Sequence, residues 1–381
     1  MNSETGAAAG GRALYPDTLR GVAITLMLYG HCLQMGSGPA FRTGSLYFDD
    51  RVYQFIYSFH MPLFMVLSGA LFALSLARDP AQSFGSNLKK RLKRLILPVL
   101  LWSVLDLLVL FLKDPAALAG ASAEKGPVLY ALEHFLTSHW YLWAVFFSVT
   151  VTFIIFRFVK DRLSVHLMLL VLAFFVPDGL NLMMYKFLHP FFLIGYYGIS
   201  RLESRNTAQG GAHVPGTFSM PEIYRKHKGI VLAVFAVLFA AMFPFYNRNT
   251  FIYVSGYKLI RKASAMGQLG TDIFRFLIGA AGCAAFLTAW DLLLGIRGAR
   301  ESAWCRLLAF AGRESLGIYI ISQYVITGLL VPASDRIFAG GAAPGLMHLG
   351  ALLETVPVFA VSLGAACLFR RSRVLRPFIG V

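Results

Sequence analysis

The stretch GIVLAVFAVLFAAMFPFY, residues 229–246, contains no charged side chain. As an α-helix it is long enough to cross the hydrocarbon core of a membrane, which is about 30 Å thick. A second stretch, residues 346–369, is almost as free of charge. Barrel strands would alternate polar and apolar residues, whereas these stretches are continuously apolar. A helix satisfies its own backbone polar groups in lipid, so both stretches predict transmembrane helices.

The composition extends this prediction to most of the chain. Of the 381 residues, 57% are hydrophobic and 14% are charged, and the mean hydropathy is +0.63. These values lie outside the range of water-soluble domains and make membrane lipid the expected surroundings. The net charge of +16 comes from short basic clusters between apolar stretches. This distribution indicates membrane topology and argues against a nucleic-acid partner.

The pattern predicts an all-α polytopic membrane protein whose transmembrane helices form one bundle. The first apolar stretch holds Arg20 and His31, which argues against a cleaved signal peptide. Cys32, Cys283 and Cys305, like Cys367, lack any CxxC spacing, so we expect neither a metal site nor a disulfide framework. The ten predicted spans are 18–37, 53–76, 95–112, 139–158, 163–177, 183–200, 229–246, 271–296, 307–331 and 346–369.

The distribution of positive charge predicts the orientation. Cytoplasmic loops collect Lys and Arg, and here most of the basic residues fall at the two termini and in every second loop. Both termini are therefore expected in the cytoplasm. The chain divides into a disordered tail over residues 1–17, a single transmembrane domain over residues 18–370 and a cytoplasmic tail over residues 371–381.

Residues 247–270 form the longest predicted extracytoplasmic connection. The segment is aromatic and basic enough to contact an anionic glycan or a lipid headgroup. An interfacial helix with lysines that reach toward water is the alternative interpretation. The residues that suggest these roles are Tyr253, Tyr257, Lys258, Arg261 and Lys262.

Two histidines are the candidate catalytic residues, because ionisable groups within membrane spans are costly. His31 lies about 20 Å from the cytoplasmic start of its helix at the usual rise per residue. His60 falls at a similar depth on the returning helix, so the two imidazoles are expected to lie close together. Histidine can take a proton from a hydroxyl acceptor or attack a thioester itself. The alternative for His60 is a structural hydrogen bond to a carbonyl near Pro62.

A basic cluster begins the third predicted span, in the sequence KKRLKR over residues 89–94. An ordinary topology signal explains Lys89, Lys90 and Lys93. Arg91 and Arg94 lie three residues apart on one helix face and are candidates for binding the phosphates of a donor such as coenzyme A.

Five motifs in order resemble those of acyltransferase family 3, especially its fucose 4-O-acetylase-like branch. The first is DTLRGVAITLMLYGH, residues 17–31, in which ten residues separate Arg20 from His31. The resemblance covers essentially the whole chain. The other motifs are SFHMPLFMVLSGALF (58–72), KRLKRLILPVLLW (90–102), FFLIGYYGI (191–199) and GRESLGIYIISQ (312–323).

The resemblance implies a bacterial inner-membrane enzyme that moves an acetyl group from cytoplasmic acetyl-CoA to a hydroxyl presented outside, with no permanently bound cofactor. A glycan or glycolipid is the implied acceptor. Carried over by motif, His31 is the essential histidine and Arg20, Arg91 and Arg94 are the donor-binding arginines. Whether His31 acts as a general base or as a covalent acyl carrier stays open.

Three further charged residues are expected to support the site. Asp17 is a candidate cap of the first helix that also holds Arg20. Arg313 and Glu314 lie at the cytoplasmic start of the ninth predicted helix, where they are expected to form ion pairs with each other or with the donor-binding arginines.

The sequence departs from the family pattern at two points. Gln323 stands where the last motif commonly ends in histidine, and the chain lacks the esterase-like domain fused to many relatives. A separate extracytoplasmic partner protein is therefore a possible requirement. The competing functions are a transporter or flippase for a lipid-linked glycan, and an acyltransferase that uses another acyl-CoA or a small-molecule acceptor.

Overall fold

A computed structural model describes residues 14–208, 222–259, 264–338 and 344–381, and all regular elements in these ranges are helical. Seven helices within them are long and apolar enough to cross a membrane. The main helices are α1 (Leu14–Gly36), α2 (Arg51–Arg78), α3 (Phe84–Lys113), α4 (Trp140–Phe158), α5 (Leu163–Ala173), α6 (Leu182–Ala208), α7 (Glu222–Met242), α8 (Ala265–Leu294), α9 (Ala303–Arg313), α10 (Ser315–Ile337) and α11 (Pro344–Arg371).

Most predicted spans coincide with one helix, and the differences are local. The first helix begins at Leu14, so residues 14–17 of the predicted tail are helical, and residues 1–13 lie outside the described residues. The prediction of one helix over 307–331 is wrong, because the chain breaks at Glu314 into α9 and α10. The amphipathic α9 packs along α1, while α10 carries the apolar span.

Helix α5 is the shortest of the predicted spans. Its 11 residues correspond to about 16 Å of helix, less than a hydrocarbon core. Its two ends nevertheless lie on different sides of the bundle. Before α5, Asp161 accepts hydrogen bonds from Tyr196 and Tyr197, and after α5 the carbonyl of Phe174 accepts from the backbone of Leu259.

Helices α1, α2 and α6 lie in the middle of the bundle. Of the apolar span in α2, 78% of the residues are buried inside the protein, the highest share among the candidate spans. Helices α1 and α6 are 23 and 27 residues long, and their polar residues make them less apolar than the seven candidate spans. Asp17 and Thr18 of α1 and Lys186 and His189 of α6 are buried inside the protein, which lowers their cost in a membrane.

Glycines bring two pairs of these helices into backbone contact. A Cβ on Gly69 of α2 would clash with the carbonyl oxygen of Phe192, and a Cβ on Gly195 of α6 would clash with that of Val66. Helix α9 packs against α1 in the same reciprocal way, through Gly312 and Gly21. Small residues allow such close approach in membranes, where packing rather than the hydrophobic effect holds helices together.

Helix α3 contains a π-helical segment, Leu92–Ile96, directly before Pro98. A proline has no N–H and clashes with the carbonyl four residues earlier, which here belongs to Arg94. The extra residue per turn relieves that clash. The C-terminal segment packs against this region, because the backbone of Gly380 approaches the Arg94 carbonyl and Trp102 donates to the carbonyl of Phe378 at 2.9 Å.

Ion pairs connect the helix ends on two sides of the bundle, which we call the basic rim and the outer rim. The basic rim joins Asp17 to Arg313, Glu314 to Arg370 and Asp291 to Lys228. The outer rim joins Arg42 to Asp335, His348 to Asp50 and Arg248 to Asp49. The helix ends that meet at one rim are those that the alternating Lys and Arg content of the loops predicts to lie on the same side of the membrane.

Substitution of Gly195 by Ala tests the close contact between α2 and α6. We expect a loss of about 1–3 kcal/mol or more of stability, because the added methyl group must displace the backbone of α2. Gly198 is the matched control on the same helix, since a Cβ there meets nothing within 4 Å. Thermal unfolding in detergent measures both variants. Equal melting temperatures for Gly195→Ala and Gly198→Ala would contradict this packing.

Candidate functional site

The two candidate catalytic histidines lie on either side of Tyr57. The Tyr57 hydroxyl lies 3.4 Å from Nδ1 of His31, and the ring centroids of Tyr57 and His60 are 4.5 Å apart. His60 Nδ1 bonds the carbonyl of Ile56, one turn earlier, at 2.9 Å. His31 and His60 are thus brought together as predicted, but through a tyrosine rather than by direct contact.

Further aromatic and polar groups hold Tyr57 and His31 in place. Tyr53 stacks on Tyr57 with ring centroids 3.9 Å apart, and its hydroxyl donates to Oε1 of Gln34 at 3.3 Å. Gln34 is in turn a hydrogen-bonding neighbour of His31. Helix α1 therefore contributes His31 and Gln34, and α2 contributes the tyrosines that orient them.

One face of α2 continues from Tyr57 toward the basic rim. Residues 57, 61, 64, 68 and 72 are spaced by three or four positions, so they share this face. Tyr57 and Phe72 lie about 22 Å apart along the helix. Ser68 bonds the Tyr141 hydroxyl at 3.3 Å, and the Phe64 and Tyr141 rings are 5.8 Å apart. We call this face the α2 track.

The inner half of α2 has an accessible side although most of the helix is buried. Phe64, Ser68, Leu71 and Ser75 are each half-buried, and most of the residues between them are buried. Their spacing places all four on one side of the helix. This side of α2 is therefore only partly covered by the rest of the protein in the half of the bundle that faces the basic rim.

Arginines lie at the basic end of the track. The guanidinium carbon of Arg91 is 5.4 Å from the ring centroid of Phe72, and its buried Nε has no hydrogen-bond partner in the described part of the chain. Arg20 lies close enough to Tyr141 for an electrostatic interaction. Arg94 is exposed on the protein surface and interacts electrostatically with Arg91.

A segment from the outer rim enters the same region. Residues 247–259 fold into short helical turns that pack against α2, and the Tyr253 hydroxyl lies 3.8 Å from Sδ of Met61 on the α2 track. The cavity left between this segment and α2 is about 10 Å³, roughly the room of one water molecule. Residues 247–259 thus form short helical turns in contact with the bundle rather than one continuous helix. Arg261 and Lys262 lie outside the described residues.

A buried arginine fixes this segment to α8. Arg275 is 2% exposed and donates to the carbonyl of Thr250 at 2.8 Å, to the carbonyl of Gly256 at 3.2 Å and to the hydroxyl of Ser255. Asp272, one turn away, balances its charge at 3.2 Å. A buried cation with several acceptors strongly favours a single loop conformation.

A second charged group fixes the end of the segment. Asp178 accepts from the Lys186 ammonium group at 2.6 Å and from the backbone N–H groups of Tyr257 at 2.9 Å and Lys258 at 3.2 Å. Burial alone would raise the pKa of Asp178, but these hydrogen bonds hold that pKa below its usual value. The ionised carboxylate therefore stabilises the folded loop at neutral pH.

The three supporting residues lie at the basic rim. Asp17 is inside the first turn of α1 rather than at its cap, and its carboxylate lies 3.8 Å from Arg313. Glu314 is 4% exposed and pairs with Arg370 at 3.1 Å. Arg313 therefore pairs with Asp17 of α1, and Glu314 pairs with the end of α11.

Sequence reasoning did not single out Tyr57, Trp140 or Tyr141, which contact the predicted residues. The signal for Tyr57 is its spacing of three residues before His60, which places both on neighbouring positions of one helix face. Trp140 and Tyr141 are ordinary members of an apolar aromatic run until the fold brings them to the α2 track. Among the described residues, no group of three or more His, Cys, Asp or Glu residues is arranged to hold a metal ion.

Comparison with known proteins gives one family and two curated relatives. Residues 14–371 match the family described as an acyltransferase domain, acyltransferase family 3. The chain is 24% identical to nodulation protein NolL of Sinorhizobium fredii over 97% of this chain and 89% of that protein. It is 27% identical to nodulation protein NolL of Mesorhizobium japonicum over 49% of this chain and 47% of that protein. No solved structure gives a significant match.

Replacement of Asp178 by Asn tests the loop attachment. We expect a lower melting temperature and faster proteolysis between residues 247 and 264, because Lys186 loses its buried counterion. In the wild-type protein, the melting temperature and the resistance to proteolysis should fall in the same way as the pH drops through the lowered pKa of Asp178.

Asp114→Asn is the matched control for this change. Asp114 is exposed and caps the short helix Pro115–Ser122, a role that Asn fills equally well. Limited proteolysis followed by mass spectrometry locates the cuts. An Asp178→Asn protein as resistant as Asp114→Asn would show that this carboxylate does not hold the loop.

Proposed function

This chain belongs to acyltransferase family 3 and is an acyltransferase, and we propose that it moves an acetyl group from acetyl-CoA to a hydroxyl of an extracytoplasmic sugar or glycoconjugate. The observation that carries this proposal is the α2 track, which joins Arg91 near the basic rim to His31 near the outer rim. The family disfavours the alternative function as a transporter or flippase. Acetyl-CoA is a substrate here rather than a bound cofactor.

The orientation follows from the charge of the two rims. We assign the basic rim to the cytoplasm because loops rich in Lys and Arg stay on that side. In this arrangement ten helices cross the bacterial inner membrane, with α5 as the shortest, and both termini are cytoplasmic. The contacts of Asp161 and Phe174 at the two ends of α5 support its crossing.

The donor site lies between α1, α2 and α3 at the basic end of the track. Within the described part of the chain the buried Nε of Arg91 has no hydrogen-bond partner, and such a group is costly unless a ligand satisfies it. A phosphate of coenzyme A fits this requirement, with Arg94 at the surface and Arg20 farther along α1 as additional cations. The half-buried side of α2 then accommodates the extended pantetheine arm that carries the thioester toward His31.

His31 is the catalytic residue of this proposal. When Nδ1–H of His31 donates to the Tyr57 hydroxyl oxygen, Nε2 is unprotonated and takes the proton from the acceptor hydroxyl as its oxygen attacks the thioester carbonyl carbon. The carbon–sulfur bond breaks, and the coenzyme A thiolate leaves and receives a proton. His60 supports the site through Tyr57, since its own Nδ1 is held by Ile56. The acceptor approaches from the outer rim, alone or delivered by a separate extracytoplasmic protein.

Substitutions at the two ends of the track test this function. In liposomes with radiolabelled acetyl-CoA, we expect His31→Ala to lose acetyl turnover by about 10²–10⁴-fold with donor binding retained. Arg91→Gln should weaken acetyl-CoA binding by roughly tenfold or more, because a charge-assisted hydrogen bond is lost. Lys90→Gln is the matched control, since Lys90 is exposed in the same basic cluster.

Two results would contradict this assignment. Turnover by His31→Ala at the wild-type rate would remove His31 from the chemistry. Equal donor affinity in Arg91→Gln and Lys90→Gln would mean that the buried guanidinium does not contact the donor. If the wild-type protein uses a different acyl-CoA in place of acetyl-CoA, the assigned roles of His31 and Arg91 are retained and only the identity of the acyl group changes.

Reporter fusions on both sides of α5 test the orientation and the helix number. Alkaline phosphatase is active only outside the cytoplasm, so a fusion after Asp178 should be active and one after Asp161 inactive. Green fluorescent protein at the same positions should give the opposite pattern, which controls for expression. The same reporter result at both positions would show that α5 does not cross and that the helix number is nine.

A further inference from the structure

Tyr253 reaches the α2 track from the outer rim, the side opposite to Arg91. Its hydroxyl contacts Met61, which lies one turn from Tyr57 on the same helix. Electrostatic interactions also connect Tyr253 to Tyr57 and to Tyr319 of α10. A residue of an outer loop thus lies beside the tyrosine that holds His31.

The side chain remains accessible in this position. Tyr253 is 40% exposed and the next residue, Val254, is 42% exposed, whereas Ile252 before them is buried. The only polar atom that its hydroxyl contacts within the described residues is the thioether sulfur of Met61, at 3.8 Å. A thioether is a weak acceptor, so the hydroxyl keeps hydrogen-bonding capacity for another molecule.

Trp140 provides a second aromatic surface at the same place. The ring centroids of Tyr253 and Trp140 are 6.4 Å apart, with the planes at 77° to each other. Trp140 is the first residue of α4 and is half-buried, and it also contacts the ring of Tyr141. These two rings, which come from different elements, pack edge to face next to the track.

The loop that carries Tyr253 is attached to the bundle at several points along its length. Arg275 binds it on both sides of Tyr253, at Thr250 and at Ser255 and Gly256, and Asp178 binds the following turn. Such anchoring lowers the entropy cost of presenting one side chain to a ligand.

We propose that Tyr253 and Trp140 form the acceptor subsite and that they bind a sugar ring beside His31. The apolar face of a pyranose stacks on an aromatic ring, and the Tyr253 hydroxyl hydrogen-bonds one of the sugar hydroxyl groups. The proposal rests on the proposed function, because it supplies the acceptor for that transfer. Tyr253 is far from the donor phosphates, since Met61 and Phe72 are about 16 Å apart along α2.

The test separates acceptor use from donor binding. The gene is replaced in the producing bacterium by Tyr253→Ala, Tyr253→Phe or Tyr257→Phe, and base-labile acetate on the surface glycan is quantified. Acetyl-CoA binding is measured on each purified protein. Tyr257→Phe is the matched control, because it removes a hydroxyl from the same loop at a ring that stacks on Phe174.

We expect Tyr253→Ala to lower glycan acetylation by about tenfold or more, through loss of stacking and of one hydrogen bond. Glycan acetylation should fall several-fold in Tyr253→Phe and stay at the wild-type level in Tyr257→Phe. Acetyl-CoA affinity should stay within about twofold of wild type in all three variants. Retained donor binding also shows that the variants are folded.

The outcomes that overturn the subsite differ from those that overturn the proposed function. Wild-type glycan acetylation in Tyr253→Ala excludes the subsite alone. A loss of acetyl-CoA affinity in Tyr253→Phe that Tyr257→Phe does not show makes Tyr253 a donor residue and also excludes it. If wild-type protein fails to bind acetyl-CoA, or His31→Ala leaves the glycan fully acetylated, the proposed function fails and the acceptor subsite with it.

Discussion

The backbone contact between α2 and α6 at Gly69 and Gly195 is the constraint on which the rest of the site depends. It draws α2 into the middle of the bundle, where most of its residues are screened from lipid. A histidine or an arginine at membrane depth is tolerated only when protein or water surrounds it. The glycine contacts allow one central helix to carry Tyr57, His60 and the track toward Arg91, while α1, held against α9 by its own glycine pair, supplies His31.

The two ends of the track differ in their electrostatic character, and this difference gives the site a direction. At the basic rim, the buried Nε of Arg91 has no partner among the described residues, whereas Arg313 and Glu314 each pair with an oppositely charged neighbour. At the outer rim, the charges of Arg275 and Asp178 are used to hold a loop rather than to bind a ligand. The free capacity for an anion therefore lies at one end, and the accessible aromatic surface of Tyr253 lies at the other.

Much of this arrangement could be predicted from sequence because membrane constraints are strong and local. The lengths of the apolar stretches located most of the helices. The cost of placing ionisable groups in a membrane singled out His31, His60 and the basic cluster. The break at Glu314 was missed because the apolar residues on both sides of it fit one continuous span, whereas in the structure Glu314 pairs with Arg370 at the end of α11. Tyr57, Trp140 and Tyr253 were missed or misread because aromatic residues are common in membrane proteins. Their role depends on which helices and loops pack together, and that information is not local.

The central claim is that donor and acceptor enter from opposite faces and meet at His31. It is tested most directly with membrane vesicles of known orientation, each containing this protein and the native glycan, to which radiolabelled acetyl-CoA is added externally. Inside-out vesicles expose the basic rim, so the account predicts label on glycan enclosed within them and none in sealed right-side-out vesicles. Equal labelling in both orientations, or labelling only in right-side-out vesicles, would contradict transfer along the α2 track.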